Sequence, residues 1–222
     1  MAIREIILDT ETTGLDFKSG HKIIEIGAVE MIDRRLTGRK YHQYINPSRA
    51  VSHEAYKIHG ISDSFLEGRP KFCDIADAFL AFVGTDSRFV IHNARFDVGF
   101  LNHELTLIGK PSFNLADAVD TLTIARAKFP GHRASLDALC RRYKIDLSGR
   151  IFHGALKDAT LLARVYLLLT DYSQQLNLTK ELQPTQNFEP RSLAEYKTRV
   201  VIPTQPELAN WSQFVDTIVK KL

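Results

Sequence analysis

Ile6-Ile7-Leu8 places three apolar residues in a row. In a strand, whose side chains alternate between faces, such a run is stable only when both faces are covered. The first strand is placed at Glu5–Asp9, and a chain that begins this way needs helices on either side of a sheet. Further strand patterns run over 22–32 and 39–45 with a turn region at 31–38, so antiparallel neighbours are expected. Apolar residues at helical spacing mark Ala76–Val83, Ala94–Ile108, Ser135–Tyr143 and Ala155–Leu169, with a short strand at Phe89–His92. Strands first, then helices alternating with a short strand, define an α/β domain with a mixed sheet.

Composition changes after Thr170. Residues 171–190 are rich in Gln, Asn, Thr and Pro, which is linker chemistry. Lys197–Ile202 then reads as a strand, and Thr204 with Glu207 forms a capping box with Pro206 in the first turn. Leu208, Trp211, Val215, Ile218 and Leu222 follow at spacings of three and four, an amphipathic helix. One strand and one helix close no core, so this tail is expected to bind a partner.

At 222 residues the chain can bury one core and carry such an appendage. A net charge of +3 permits a polyanionic partner without requiring one. The charge is uneven: residues 126–150 hold seven Lys/Arg against Asp137 and Asp146. A solvated helix face and a phosphate-binding surface account for that run equally well. Cys73 and Cys140 fit no metal spacing and lie in helical apolar patterns, so both are expected as buried thiols in a reducing compartment. The start of the chain has charges too early for a signal peptide, and its longest apolar run, Val165–Leu169, cannot span a bilayer. A cytoplasmic protein with no membrane partner is expected.

Charge in the wrong place is more informative. Asp9 and Glu11 stand two residues apart at the end of the buried strand, so they leave the same face. Asp158 lies in line with the apolar stripe Leu161, Leu162, Val165, Leu168 and Leu169, and Asp97 precedes Leu101, Leu105 and Ile108 in the same manner. A lone carboxylate on a core-facing stripe costs several kcal/mol or shifts its pKa. No Lys or Arg occupies those faces, so a divalent metal is the economical explanation. Four oxygen donors without cysteine suit Mg²⁺ or Mn²⁺, and two such ions can serve one phosphate. The dipole at a helix start also favours an anion at Asp158, but that does not explain the same anomaly in three segments.

These residues sit in recognisable strings: Ile7-Leu8-Asp9-Thr10-Glu11-Thr12-Thr13-Gly14, Ile91-His92-Asn93-Ala94-Arg95-Phe96-Asp97, and His153-Gly154-Ala155-Leu156-Lys157-Asp158. In that order they resemble the three exonuclease motifs of the DnaQ-like, DEDDh family within the ribonuclease-H-like fold. Residues 20–29, 34–38, 58–61, 135–140 and 197–201 are similar to the proofreading members of that family.

The resemblance implies a ribonuclease-H-like sheet flanked by helices, and removal of nucleotides from a DNA 3′ end by a two-metal reaction. Asp9, Glu11 and Asp158 would be direct metal ligands, Asp97 would complete the set, and His153 would be the general base. Glu54 and His59 would line the nucleotide site, with backbone contacts at Thr10 and Thr12 and with Phe96 packed nearby. Ser52-His53 departs from the Asp-Pro common in relatives, and the loop 15–20 looks short. The implied organisation is an exonuclease domain at 1–172, a linker at 173–191 and a polymerase-binding tail at 192–222. Trp211 would anchor the tail on the catalytic (alpha) subunit of a replicative polymerase. Gln175, Leu176 and Leu178 resemble the short peptides that dock on a sliding clamp, and a small theta-like subunit is a further implied partner. Two rival readings are an RNA-trimming exonuclease of the same family and a non-catalytic scaffold. The tail speaks against the first, and the complete set of carboxylates with the histidine against the second.

Overall fold

A computed structural model describes residues 2–148 and 152–181, with 171–181 as backbone only. Five strands form one mixed sheet: β1 (Arg4–Thr12), β2 (Ile23–Ile32), β3 (Arg35–Tyr44), β4 (Ser87–Ile91) and β5 (Val119–Asp120), in the order β3-β2-β1-β4-β5. The pairs β1–β2 and β2–β3 are antiparallel, while β4 lies parallel to both β1 and β5. The expected turn region narrows to Asp33 and Arg34, whose φ values of 46° and 65° make the tight hairpin that a twisted strand pair favours.

The opening run behaves as its pattern demands. Ile6 and Leu8 enter a core with Ile26, Phe79, Phe100 and Leu101, whereas Ile7 enters another with Val29, Val90, Leu162 and Tyr166. The first face is covered by α3 (Phe72–Val83) and α4 (Ala94–Leu107), the second by α7 (Ala155–Glu181). A third core joins α5 (Thr121–Lys128) and α6 (Leu136–Arg142) to α7 through Ala125, Leu139, Cys140, Leu161 and Val165.

Gly27 fixes how α7 meets the sheet. A Cβ there would stand 2.0 Å from the Leu156 nitrogen and 2.2 Å from the Ala155 carbonyl carbon. Only a bare backbone lets the first turn of α7 rest on β2. Gly27 pairs with Asp9 across the β1–β2 ladder, so the helix lands beside that carboxylate.

Two other buried acids on the sheet, Glu5 and Glu30, are fully paired. Glu5 accepts from Arg88 Nη2 at 2.6 Å and Tyr166 Oη at 2.7 Å. Glu30 accepts from Arg4 Nε at 2.8 Å, Arg39 Nη1 at 2.9 Å and Thr37 Oγ1 at 2.8 Å.

The sequence reading needs four corrections. The helices α1 (His53–His59), α2 (Asp63–Leu66) and α5 went unseen because each buries too few large apolar residues to set a period. Cys140 is buried as expected, but Cys73 is exposed, on the outer side of α3. Leu168 is also exposed, leaving Leu161, Leu162, Val165 and Leu169 as the buried stripe of α7. Finally, α7 continues past Thr170 to Glu181, so the segment expected as linker starts as helix. Among the described residues, no helix is long and apolar enough to cross a membrane.

Candidate active site

Three elements deliver the acidic side chains. β1 presents Asp9 and Glu11 on the α7 side of the sheet, and Asp158 comes down from the first turn of α7, where the Gly154 carbonyl accepts the Asp158 N–H at 2.9 Å. The third is α4. It starts at Asn93, whose φ of 73° turns the chain sharply out of β4 and whose N–H donates to Asp120 Oδ1 at 3.0 Å. That turn brings Asp97 under β1, where it accepts from the Thr10 N–H at 3.0 Å and from Thr10 Oγ1 at 2.7 Å.

His153 precedes α7 and is tied by its backbone N–H to the Ile58 carbonyl at 3.2 Å. Its Nδ1 lies 3.2 Å from Asp158 Oδ2. Donor atoms of Glu11, His153 and Asp158 all fall within 4.8 Å of one another. The motif residues therefore converge, with Glu11, His153 and Asp158 tightest and Asp97 held through Thr10.

The electrostatics of this corner are those of crowded anions. Burial raises the Asp9 carboxyl well above the usual carboxylate range, and Asp97, Glu11, Asp158 and Glu25 push it further the same way. Burial also lifts Asp97 to about 7, although the Thr10 hydrogen bonds pull against it. Several buried carboxylates opposing one another's ionisation make a donor set for a hard divalent cation. The residues fit a metal.

Beside them opens a cleft of about 470 Å³. Thr10, Thr12, Glu54, His59 and Phe96, the residues assigned to the nucleotide site, all line it together with Glu11. The Ser52-His53 departure proves neutral. Ser52 caps α1 by accepting from the Ala55 N–H, with His53 as first helical residue, and Asp followed by Pro suits those two positions equally. His59 is buried and accepts from the Ile61 N–H at Nδ1, and its ring faces the Thr12 backbone. Burial lowers the His59 pKa, so the ring is neutral near pH 7.

Sequence reading missed Leu15, His21 and Ile58 on the same cleft. Leu15 did leave a signal, an apolar residue in a polar loop, and it is 82% exposed. His21 is half-buried, its Nδ1 3.0 Å from Thr13 Oγ1. A second cavity, a groove of about 550 Å³, meets the acids from the side of Asp9, Asp158 and His153. Gln175, Leu176 and Leu178 fall on the backbone-only stretch of α7, and Trp211 lies with the tail at 192–222, so their side chains are outside the described residues.

The sheet order, the acids and the cleft define a nuclease, and the comparisons agree. The sequence model of the exonuclease family matches residues 6–166, and the chain belongs to that family. Over 99% of its length it is 50% identical to DNA polymerase III subunit epsilon of Rickettsia felis, covering 98% of that protein. It is 44% identical to the protein of the same name from Escherichia coli K12, over 98% of this chain and 94% of that one. Among solved structures, exonuclease X in complex with 5′ overhanging duplex DNA superposes with a TM-score of 0.59 at 27% identity, over 78% of this chain and 93% of that chain. The E. coli exonuclease I–single-stranded DNA complex shares the fold, at a TM-score of 0.67 and 16% identity, over 80% of this chain and 42% of its own.

Proposed function

We propose that this chain is the 3′→5′ proofreading exonuclease of a replicative DNA polymerase, hydrolysing the terminal phosphodiester of a DNA strand. One observation carries the reading: Glu11 of β1 and Asp158 of α7 meet His153 beside a nucleoside-sized cleft, with Asp97 of α4 bonded to Thr10 on the wall of that cleft. Asp9, Glu11 and Asp158, with Asp97 completing the set, would hold two divalent ions, Mg²⁺ or Mn²⁺. When bound, such ions stabilise negative charge on the phosphate and acidify water.

The protein's own groups have separate tasks. With its Nδ1 turned toward Asp158, His153 would present Nε2 to the attacking water and take its proton there. Phe96 and Ile58 offer apolar surface to the terminal base in the cleft. His59 Nε2 and the backbone at Thr10 and Thr12 contribute polar contacts to the terminal nucleoside. Asp97 fixes Thr10 and so the strand end that bears Asp9 and Glu11.

The reading extends to partners. Residues 1–172 would be the exonuclease domain, 173–191 a linker and 192–222 the segment that binds the polymerase III alpha subunit, with Trp211 as anchor. Gln175, Leu176 and Leu178 would contact the sliding clamp, which requires the helical backbone there to unwind into an extended peptide. A small theta-like subunit would complete the assembly, in the cytoplasm. The deciding experiment is digestion of a labelled single strand, DNA beside RNA, with Mg²⁺ and with chelator. Metal-dependent loss of nucleotides from the DNA 3′ end is expected. Preferential digestion of RNA would overturn the proofreading assignment, and activity in chelator would overturn the metal site.

A further inference from the structure

The groove on the Asp9 side has no task in the reaction just described. At one end stand Asp9, Asp158 and His153. Asn93, at the turn into α4, also lines it, as do Leu122 and Arg126 of α5 and His132 and Ser135 before α6. Leu122 and Arg126 are four residues apart on one helix, so they share a face, apolar next to cationic. Asp9 opens into this groove and Glu11 into the cleft, so the metal-binding carboxylates stand between the two cavities.

The basic run singled out in the sequence separates here into two kinds of residue. Lys128 is committed to the Leu168 and Leu169 carbonyls, at 3.3 and 2.8 Å, and Arg142 stacks on Phe129 at 4.2 Å. Arg126, by contrast, makes no hydrogen bond or ion pair among the described residues and faces the groove. The wall behind it is braced. His92 Nδ1 lies 2.9 Å from Thr121 Oγ1, at the start of α5, and the same ring bonds to the Ala134 backbone before α6. His92 thus ties both sides of the groove to the end of β4.

Resting on the exonuclease reading above, we propose that this groove holds the DNA strand upstream of the nucleotide being removed, with Arg126 binding a phosphate on the 5′ side of the scissile bond. A strand whose last nucleoside fills the cleft and whose scissile phosphate meets the acids must leave on their far side. The groove is the cavity there. Leu122 offers apolar surface to the penultimate sugar and base, while Arg126, helped by His132 and Ser135, neutralises the next phosphate. The proposal gives Arg126 a contact that a one-nucleotide substrate cannot make.

The test compares two substrates of the full chain with Mn²⁺: a single-stranded oligodeoxynucleotide and the p-nitrophenyl ester of thymidine 5′-monophosphate, which lacks any upstream phosphate. Arg126→Ala should lower kcat/KM about tenfold on the oligonucleotide, the order of one charge-assisted contact, and change the ester little. It should also flatten the salt dependence of oligonucleotide binding by about 0.7 in the log–log slope. Arg141→Ala, which removes an equal charge outside the groove, should do neither. Equal losses on both substrates, no loss on either, or the same loss from Arg141→Ala would overturn the proposal. A wild-type chain inactive on both substrates would instead overturn the exonuclease reading beneath it.

Discussion

β1 carries the buried Glu5 near one end and the half-buried Asp9 toward the other, and the two have opposite surroundings. At one end Glu5 is met by Arg88 and Tyr166, and on the neighbouring strand Glu30 is met by Arg4, Arg39 and Thr37. Burial works to raise the Glu30 carboxyl, but Thr37, Arg4 and Arg39 hold it below the usual carboxylate range. At the other end, every charged group acting on Asp9 is another acid. The first arrangement satisfies each charge within the fold. The second leaves charge to be satisfied by something brought in. Burial alone does not mark a functional carboxylate. What marks it is burial among groups of like charge.

The sharpest way to break this contrast is to remove acids at each end. Asp9→Ala, Asp97→Ala or Asp158→Ala should cut hydrolysis by about 10³-fold or more, judged by loss of a group that stabilises the transition state. Without metal Asp9→Ala and Asp158→Ala should melt no lower than the wild type, because like-charge repulsion is relieved. Asp97→Ala also strips Thr10 of its acceptor and is expected to fold but not to gain stability. An unfolded Asp158→Ala protein would make that residue structural and erase the contrast. Next in size, His153→Ala and His153→Gln should lose 10²–10⁴-fold, roughly, while Mg²⁺ still raises their melting temperature. Near-normal turnover in either would remove His153 as the base.

Glu5→Ala should behave in reverse. It leaves Tyr166 and the Arg88 guanidinium without their acceptor, costing about 1–3 kcal/mol in denaturant unfolding, with turnover per folded molecule unchanged. A smaller effect is expected from pH. Asp97 has its folded pKa raised from 3.8 to about 7, so the folded state holds its proton longer than the unfolded chain. The stability this contributes is full below about pH 4 and is lost as pH rises through 7. In chelator, the wild type should therefore weaken over that window, Asp97→Asn should flatten the slope, and saturating metal should do likewise. A wild-type slope unaltered by Asp97→Asn would show that the proton is held elsewhere.

The two ends also differed in how readable they were. Asp97 and Asp158 betrayed themselves locally, because each interrupts an apolar stripe within its own helix. The ion pairs at the other end were invisible, since Arg88 lies 83 residues from Glu5 and no periodicity links them. The same limit hid Arg126, whose task depends on α5, a helix with only Thr121 and Ala125 buried. The opening strand was legible from Ile6-Ile7-Leu8 alone. His59 could be assigned to the cleft by resemblance, but the bond from the Ile61 N–H that fixes its ring depends on the turn after α1, which no periodicity announces.

Gly27 has a meaning beyond packing. With no side chain beneath it, the start of α7 sits at a separation from the sheet set by its backbone contact with β2, and that separation is the calibre of the proposed ion site. A methyl group there would act as a shim, displacing Leu156 by at least about 1 Å and carrying Asp158 and His153 away from Asp9 and Glu11. Small ions that demand short, regular coordination would suffer first, so the ratio of Mg²⁺-supported to Mn²⁺-supported activity becomes a gauge of that gap. A residue that touches neither metal nor DNA would then set which ion the enzyme can use.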